Sequence, residues 1–175
     1  NLELLDKIKE FYDIHLDAGD ALVPEHILDI KKIISVRGNS DYYSKLPMER
    51  LLTYDNKTFL ILHGHTFDVK YGLERLINYA KLKNVDYCIY GHTHIQNVFI
   101  KDDITFINPG AIINKPLEYA IYEDGKITLK KEWKMILTAS KKYLKNPKIE
   151  YRLLGGMSNY TYVVSENDKK YVIRV

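Results

Sequence analysis

The chain has 175 residues, 46% of them hydrophobic and 28% charged, which suits a folded domain of ordinary size and part of a second and excludes a disordered chain. A net charge of +3, with lysines scattered rather than massed, gives no case for a nucleic-acid partner. The single cysteine, Cys88, excludes an internal disulfide framework and suits a reducing, cytoplasmic setting, and no apolar run reaches the ~20 residues of a membrane helix.

Leu2, Leu4, Leu5, Ile8, Phe11 and Tyr12 recur at helical spacing and predict an opening amphipathic helix. "DIHLDAGD" predicts a short strand running into Gly19 and Asp20, "EHILDIKKI" a helix, and "IISVRGN" a buried strand stopping at Gly38 and Asn39. "TFLILHGH" predicts a strand that stops at His63, "YGLERLINYAKLKN" a second amphipathic helix, and "DYCIYGH" a strand that stops at His92. Beyond this point helical periodicity fades. "NVFI", "ITFINPG" and "EYAIYEDGKITLKKEW" read as consecutive strands, the last folded at "EDGK" as a hairpin. Alternating helix and strand followed by strands alone predicts an α/β layer packed on a second, more antiparallel sheet.

Four of the six histidines fall in "LHGHTF" and "YGHTHI". Four apolar strands each end at a polar residue beside glycine: Asp20, Asn39, His63 and His92. The carboxyl ends of strands in an open α/β sheet form a crevice, so Asp20, Asn39, His63, His92 and His94 are candidates to converge. One carboxylate, one amide oxygen and three imidazoles suit a divalent transition metal such as Mn, Fe, Co, Ni or Zn. Taken singly, each feature has an ordinary reading. Asp20 could cap a helix, "GN" is a common turn, and His15 and His26 read as structural.

"AGD", "RGNSD", "LHGH", "YGHTH" and "INPG", in this order, resemble the calcineurin-like metallophosphoesterases, and within them the small bacterial and archaeal phosphodiesterases, whose relatives include a retromer subunit. The resemblance covers residues 1 to about 131. It implies an α/β (α+β) fold, a two-sheet β-sandwich flanked by helices, with a dinuclear metal site that hydrolyses a small-molecule phosphodiester. It implies Asp20 as the carboxylate bridging two ions, Asn39, His63 and His92 completing one shell, and His94 on the other ion. Asn108, Pro109 and Gly110 match a loop beside the site, with Ala111 where serine is usual. The histidine that many members carry after the asparagine is Ser40 here, which leaves His65 or Asp41 for the acid role, Asp41 being equally suited to capping a following helix. The family's opening Asp-x-His strand is missing, so the expected parent is longer by about one strand and the second metal position is short of ligands. The alternative is a fold of the same family that binds without turnover.

The tail reads separately: residues 134–147 as a helix or linker, and 148–175 as a short β-meander. Gly155, Gly156, Ser158, Asn159 and Arg174 resemble the nucleotide-covering loop and basic strand residue that open choline-kinase and aminoglycoside-phosphotransferase-like kinases. The expected organisation is therefore 1–133, a metallophosphoesterase domain, then the linker and the beginning of a kinase-like lobe. A fusion of that kind hints at a diester of choline or a similar alcohol as substrate. No nucleic-acid or membrane partner is indicated, and an oligomer remains open.

Overall fold

The structure is a computed structural model that describes residues 12–114 and 116–132, together with the backbone of 148–153, 161–167 and 169–174. The opening helix and the 134–147 helix or linker expected from sequence lie outside the described residues. The chain divides into two compact units, one running to Asn114 and resuming over Glu118–Lys130, the other including everything from Lys131 onward.

The first unit begins with two short strands, β1 (His15–Asp17) and β2 (Ile33–Ser35), joined through helix α1 (Glu25–Ile30) and paired parallel. They form a sheet of their own. A five-stranded mixed sheet follows, built from β3 (Glu49–Tyr54), β4 (Lys57–Leu62), β5 (Tyr87–Tyr90), β6 (Asn97–Lys101) and β7 (Ile104–Asn108) in the order β3-β4-β5-β7-β6. Its centre, β4-β5-β7, is parallel, and each outer strand is the antiparallel hairpin partner of its neighbour. Helix α2 (Glu74–Leu82) makes the crossover from β4 to β5. Strands β8 (Leu117–Glu123) and β9 (Lys126–Glu132) form a separate two-stranded sheet.

Strand β3 did not emerge from the sequence. Its turn was the available signal. Asp55 and Asn56 take φ values of 51° and 54°, the pair of left-handed residues that a two-residue type I′ hairpin demands. Asp102-Asp103 and Asp124-Gly125 close the β6–β7 and β8–β9 hairpins with the same pair of positive φ values.

Alternation along the central strands divides the core in two. Leu60, Leu62, Cys88, Tyr90, Ile104 and Phe106 face Leu76 and Ala80, the i, i+4 pair on the buried face of α2. Phe59, Tyr87 and Ile107 take the other face, against Ala120 and Tyr122 of β8 and Ile127 of β9. There Phe59 stacks on Tyr87 with centroids 4.6 Å apart, and Tyr122 meets both edge-on at 5.1 and 5.3 Å. A sheet covered by a helix on one face and by a second sheet on the other is the sandwich that the sequence predicts.

The second unit contains an antiparallel meander, β10 (Lys148–Leu153), β11 (Thr161–Glu166) and β12 (Lys169–Arg174). Gly155, Gly156, Ser158 and Asn159 lie outside the described residues, as does the side chain of Arg174. No helix among the described residues is long and apolar enough to cross a membrane.

Candidate metal centre

The parallel pairing of β1 with β2, and of β4 with β5, puts four strand ends on loops that meet. Asp20 follows β1, Asn39 follows β2, His63 directly follows β4, and His92 follows β5 by two residues. The asparagine is not at the strand terminus itself, since β2 ends at Ser35 and Asn39 sits in the loop beyond.

His63 is the centre of the cluster and is 2% exposed. Its Nδ1 lies 2.7 Å from the carbonyl oxygen of Ala18. A carbonyl only accepts, so Nδ1 carries the hydrogen. In the neutral ring Nε2 is then a bare lone pair. Around that lone pair stand Asn39 Oδ1 at 3.0 Å, His92 Nδ1 at 3.2 Å and Asp20 Oδ2 at 3.3 Å. Asn39 Oδ1 and Asp20 Oδ2 accept and cannot donate to that lone pair, so a cation among them would relieve their crowding, and a carbonyl holding the far nitrogen of a histidine is the usual support of a metal-binding imidazole. The residues present therefore fit a divalent metal. The donors touch one another rather than surrounding an open point: among the described residues no three His, Cys, Asp or Glu groups are spaced as a ready-made metal cage.

Backbone strain gathers at the same place. Asp20, His92 and His94 have φ values of 59°, 65° and 58°, a left-handed conformation that costs non-glycine residues energy and concentrates at functional sites. Two contacts hold Asp20 there. Ser40 donates its backbone N–H to Asp20 Oδ1 at 2.7 Å and its hydroxyl to Oδ2 at 3.0 Å. Gly38 packs so closely that a Cβ on it would lie 2.0 Å from Asp20 Oδ1.

Asp41 is buried, and its carboxylate accepts the backbone N–H groups of Asp20 and Gly38, both at 2.8 Å, and of Leu22 at 3.2 Å. The segment after it is turn and coil rather than helix. Instead of capping a following helix, it ties the Asp20 loop to the Gly38 loop. Three donors on one short side chain over-satisfy no single helix end but fit a knot between two loops.

Asn108 is fully buried. It donates to Gly91 O and to Thr93 Oγ1, both at 3.0 Å, and accepts the Gly110 N–H at 3.0 Å. It is a strut beneath the turn that carries His92 and His94, while Gly110, at φ 82°, makes the bend beyond it. The imidazole of His94 is exposed and has no hydrogen-bond partner among the described residues, and its carbonyl accepts from Asn114 Nδ2 at 2.9 Å.

His65 opens a single 3₁₀ turn (His65–Phe67), its ring 5.3 Å from that of His63 and 6.2 Å from that of His92. Its Nδ1 is buried with no hydrogen-bond partner among the described residues. Burial, then the neighbouring His63, holds its pKa below the ordinary histidine value. His92 is lowered as well, by burial first and then by Lys70. Both rings therefore rest neutral, the form that offers a lone pair.

Two residues of consequence went unassigned in the sequence, and Asn108, expected in a loop beside the site, is instead the strut. Ser40 is the clamp on Asp20. Asp17, at the end of β1, accepts the Ser35 hydroxyl at 2.6 Å and the Gly19 N–H at 3.1 Å, and burial of its carboxyl pushes its pKa up to about 6. A charged residue inside "HLDAGD", where the strand should be apolar, was the visible sign.

Comparison with known proteins shows the family. A probable metallophosphoesterase of Mycoplasma pneumoniae is 30% identical over 103 residues, 57% of this chain and 64% of that protein. The phosphodiesterase YfcE of Escherichia coli K12 is 26% identical over 123 residues, 62% of each. The chain thus spans a little under two thirds of the length of these curated relatives. Among solved structures, a predicted phosphoesterase from Streptococcus pneumoniae superposes with a TM-score of 0.62 at 18% identity, covering 99% of this chain and 88% of that one. Vps29 of Entamoeba histolytica, solved with zinc, gives 0.56 at 17% identity, covering 100% and 88%. The family model of the calcineurin-like phosphoesterase superfamily domain matches residues 1–123. With most of its length under that model, the chain belongs to the calcineurin-like phosphoesterase superfamily, a family of metal-dependent phosphoesterases.

Proposed function

We propose that this protein hydrolyses phosphodiesters with water activated by divalent transition-metal ions. Asp20, Asn39, His63 and His92 would hold one ion, and Asp20 and His94 a second, weaker one. The observation that carries the reading is the His63 lone pair: Nδ1 is committed to Ala18 O, and Nε2 faces three further electron-rich atoms. When bound, the ions would activate water and neutralise charge on the phosphoryl oxygens.

The protein's own groups do the rest. Ser40 aims both oxygens of Asp20, and Asp41 fixes the loops that carry Asp20 and Asn39. We assign Asp41 to that holding role in preference to proton donation, because its oxygens are occupied by three N–H groups. His65 remains the candidate proton donor to the leaving alcohol. Burial keeps it neutral at rest, so as the acid it would pass to the leaving oxygen the proton that the attacking water gives up. The phosphorus–oxygen bond to the alcohol breaks, and that alcohol oxygen takes the proton.

Release of p-nitrophenol from bis-p-nitrophenyl phosphate by the 175-residue chain with Mn²⁺ tests the reading. Turnover should vanish on chelation and in His63→Ala. Tight metal binding with no turnover would instead favour the second reading, a binding module of the same fold. The tail reading, a kinase-like lobe joined to the hydrolase, rests on residues 148–175, of which Lys148–Leu153, Thr161–Glu166 and Lys169–Arg174 pair as antiparallel strands.

A further inference from the structure

The two histidines of the "YGHTH" turn are held from different places. Asn108, the last residue of β7, donates to Gly91 O and Thr93 Oγ1 and so supports the part of the turn that bears His92. Beyond Thr93 the support changes. Asn114 donates from Nδ2 to the carbonyl oxygen of His94 at 2.9 Å. Two residues past His94, Gln96 Nε2 donates to Pro109 O at 3.2 Å, Tyr119 O at 3.0 Å and Lys130 O at 2.9 Å. An amide nitrogen has two hydrogens, so three carbonyls share them and the side chain has little freedom to turn away.

The Asn114 contact has a further member. The same Nδ2 donates to Glu118 Oε2 at 2.8 Å, and Glu118, the second residue of β8, is buried. A backbone carbonyl and an ionised carboxylate only accept. Both hydrogens of the Asn114 amide are therefore committed, and its oxygen must face the other way. Glu118 thus fixes the rotation of the amide that holds His94. The backbone is drawn in to match. Asn114 and Glu118 each donate an N–H to Ala111 O, at 3.0 and 3.3 Å. Gly110 passes so close that a Cβ on it would lie 2.6 Å from Glu118 Cβ and 2.7 Å from Gln96 Cγ. Tyr119 lies on β8 and Lys130 on β9. His92 is braced from the five-stranded sheet and His94 from the two-stranded one.

What this second brace holds is a strained residue. His94 sits at φ 58° with its imidazole exposed. A left-handed histidine persists only where its surroundings impose the conformation. Here the hydrogen bond on its own carbonyl imposes it. Without that bond the peptide is free to relax and turn the imidazole to a new direction.

We propose that Asn114 and Glu118 are positioning residues for His94, and that they set the affinity of the second metal position without setting that of the first. The proposal rests on the reading of His94 as a metal ligand. It makes the start of β8, which supplies no donor, part of the metal centre.

The test follows the histidine ring nitrogens of the isotope-labelled 175-residue chain by NMR during titration with Zn²⁺. A ring nitrogen's resonance moves when it takes a metal, and the His63→Ala and His94→Ala variants assign the two rings. In the unaltered chain His63 should respond first and His94 at higher Zn²⁺. In Asn114→Ala the His94 midpoint should rise about tenfold, the usual cost of losing a contact that orients a ligand, with the His63 midpoint unmoved. Glu118→Ala should repeat the effect, and Glu118→Gln, which keeps an acceptor oxygen for Asn114, should restore most of the affinity. Asn114 is half-buried on a turn, so its variant decides the matter even if Glu118→Ala fails to fold. A His94 midpoint unmoved in Asn114→Ala would overturn the proposal and leave the metal reading in place. So would a rise shared equally by His63 and His94 with a matching loss in urea stability, the mark of a merely structural role. If the His94 ring never responds in the unaltered chain, the metal reading of His94 fails and the proposal falls with it.

Discussion

Asp41 accepts the backbone N–H of Asp20 at 2.8 Å, across 21 residues of sequence, so the loop bearing one metal-site carboxylate is positioned by another carboxylate that faces away from solvent. Asp41→Ala leaves three N–H groups without their acceptor. Hydrogen bonds to a charged group contribute about 1.5–3 kcal/mol each, and water entering the gap recovers part of that. We expect a net loss of roughly 3 kcal/mol in urea unfolding, with metal affinity falling in the same variant. Asp41→Asn keeps one acceptor oxygen and should lose about half as much.

Removal of single imidazoles should separate the two metal positions. His63→Ala deletes the central donor and should empty the chain of bound ion after dialysis. His94→Ala should leave most of it, because the exposed His94 ring has no partner among the described residues and shares its position only with Asp20. His15→Ala, outside the cluster, should leave metal content unchanged. Metal analysis by mass spectrometry reads all three. Two tightly held ions per chain, or an occupancy untouched by His63→Ala, would mean that the donor set is wrongly drawn.

Acid stability should carry the mark of Asp17. Its pKa is raised from an ordinary 3.8 to about 6, chiefly by burial. The folded chain therefore binds a proton there that the unfolded chain has already released between pH 4 and 6. Stability from this group is fully present below pH 4 and is lost as pH rises through 6, the reverse of a salt-bridged carboxylate. The difference amounts to about 3 kcal/mol at most. Urea midpoints measured from pH 4 to 7 should show this downward component, and Asp17→Asn should remove it.

Gly38→Ala asks for a Cβ at 2.0 Å from Asp20 Oδ1 and 2.4 Å from the Asp20 backbone nitrogen. Neither atom can withdraw without releasing the Ser40 and Asp41 contacts that fix it. The substitution should cost at least 2 kcal/mol, in the range of steric overpacking, and should weaken metal binding more than it weakens folding. Parallel urea melts and metal titrations would check the order of these two effects.

What was legible in the sequence was periodicity and punctuation. The continuous apolar runs "TFLIL" and "DYCIY", and the glycines after them, located β4, β5 and the ends that bear His63 and His92. Asp20 and Asn39 stood out for the same reason. The edge strand β3 escaped because "ERLLTY" has no alternating pattern: it is half exposed on both faces, so only the Asp55-Asn56 turn betrays it. Contacts that join loops distant in sequence were illegible in principle. Nothing local distinguishes an aspartate that will cap a helix from one that knots two loops, as Asp41 does. Nor does an asparagine in "INPG" announce that it will be sealed beneath a turn seventeen residues upstream, as Asn108 is.

The strand order of the central sheet has a consequence for how the protein assembles itself. Hairpins β3–β4 and β6–β7 close over two-residue turns and need no distant partner, so they can form within microseconds. Strand β5 is different. It pairs parallel on both sides, with β4 and with β7, and reaches its place only through the crossover helix α2. Such non-local parallel pairing is the slow part of a folding reaction. His63 leaves β4 and His92 follows β5, so their side chains meet only when that last strand docks. An ion that requires both therefore arrives after the fold is complete, and the appearance of a metal signal during refolding would time the closing of the sheet.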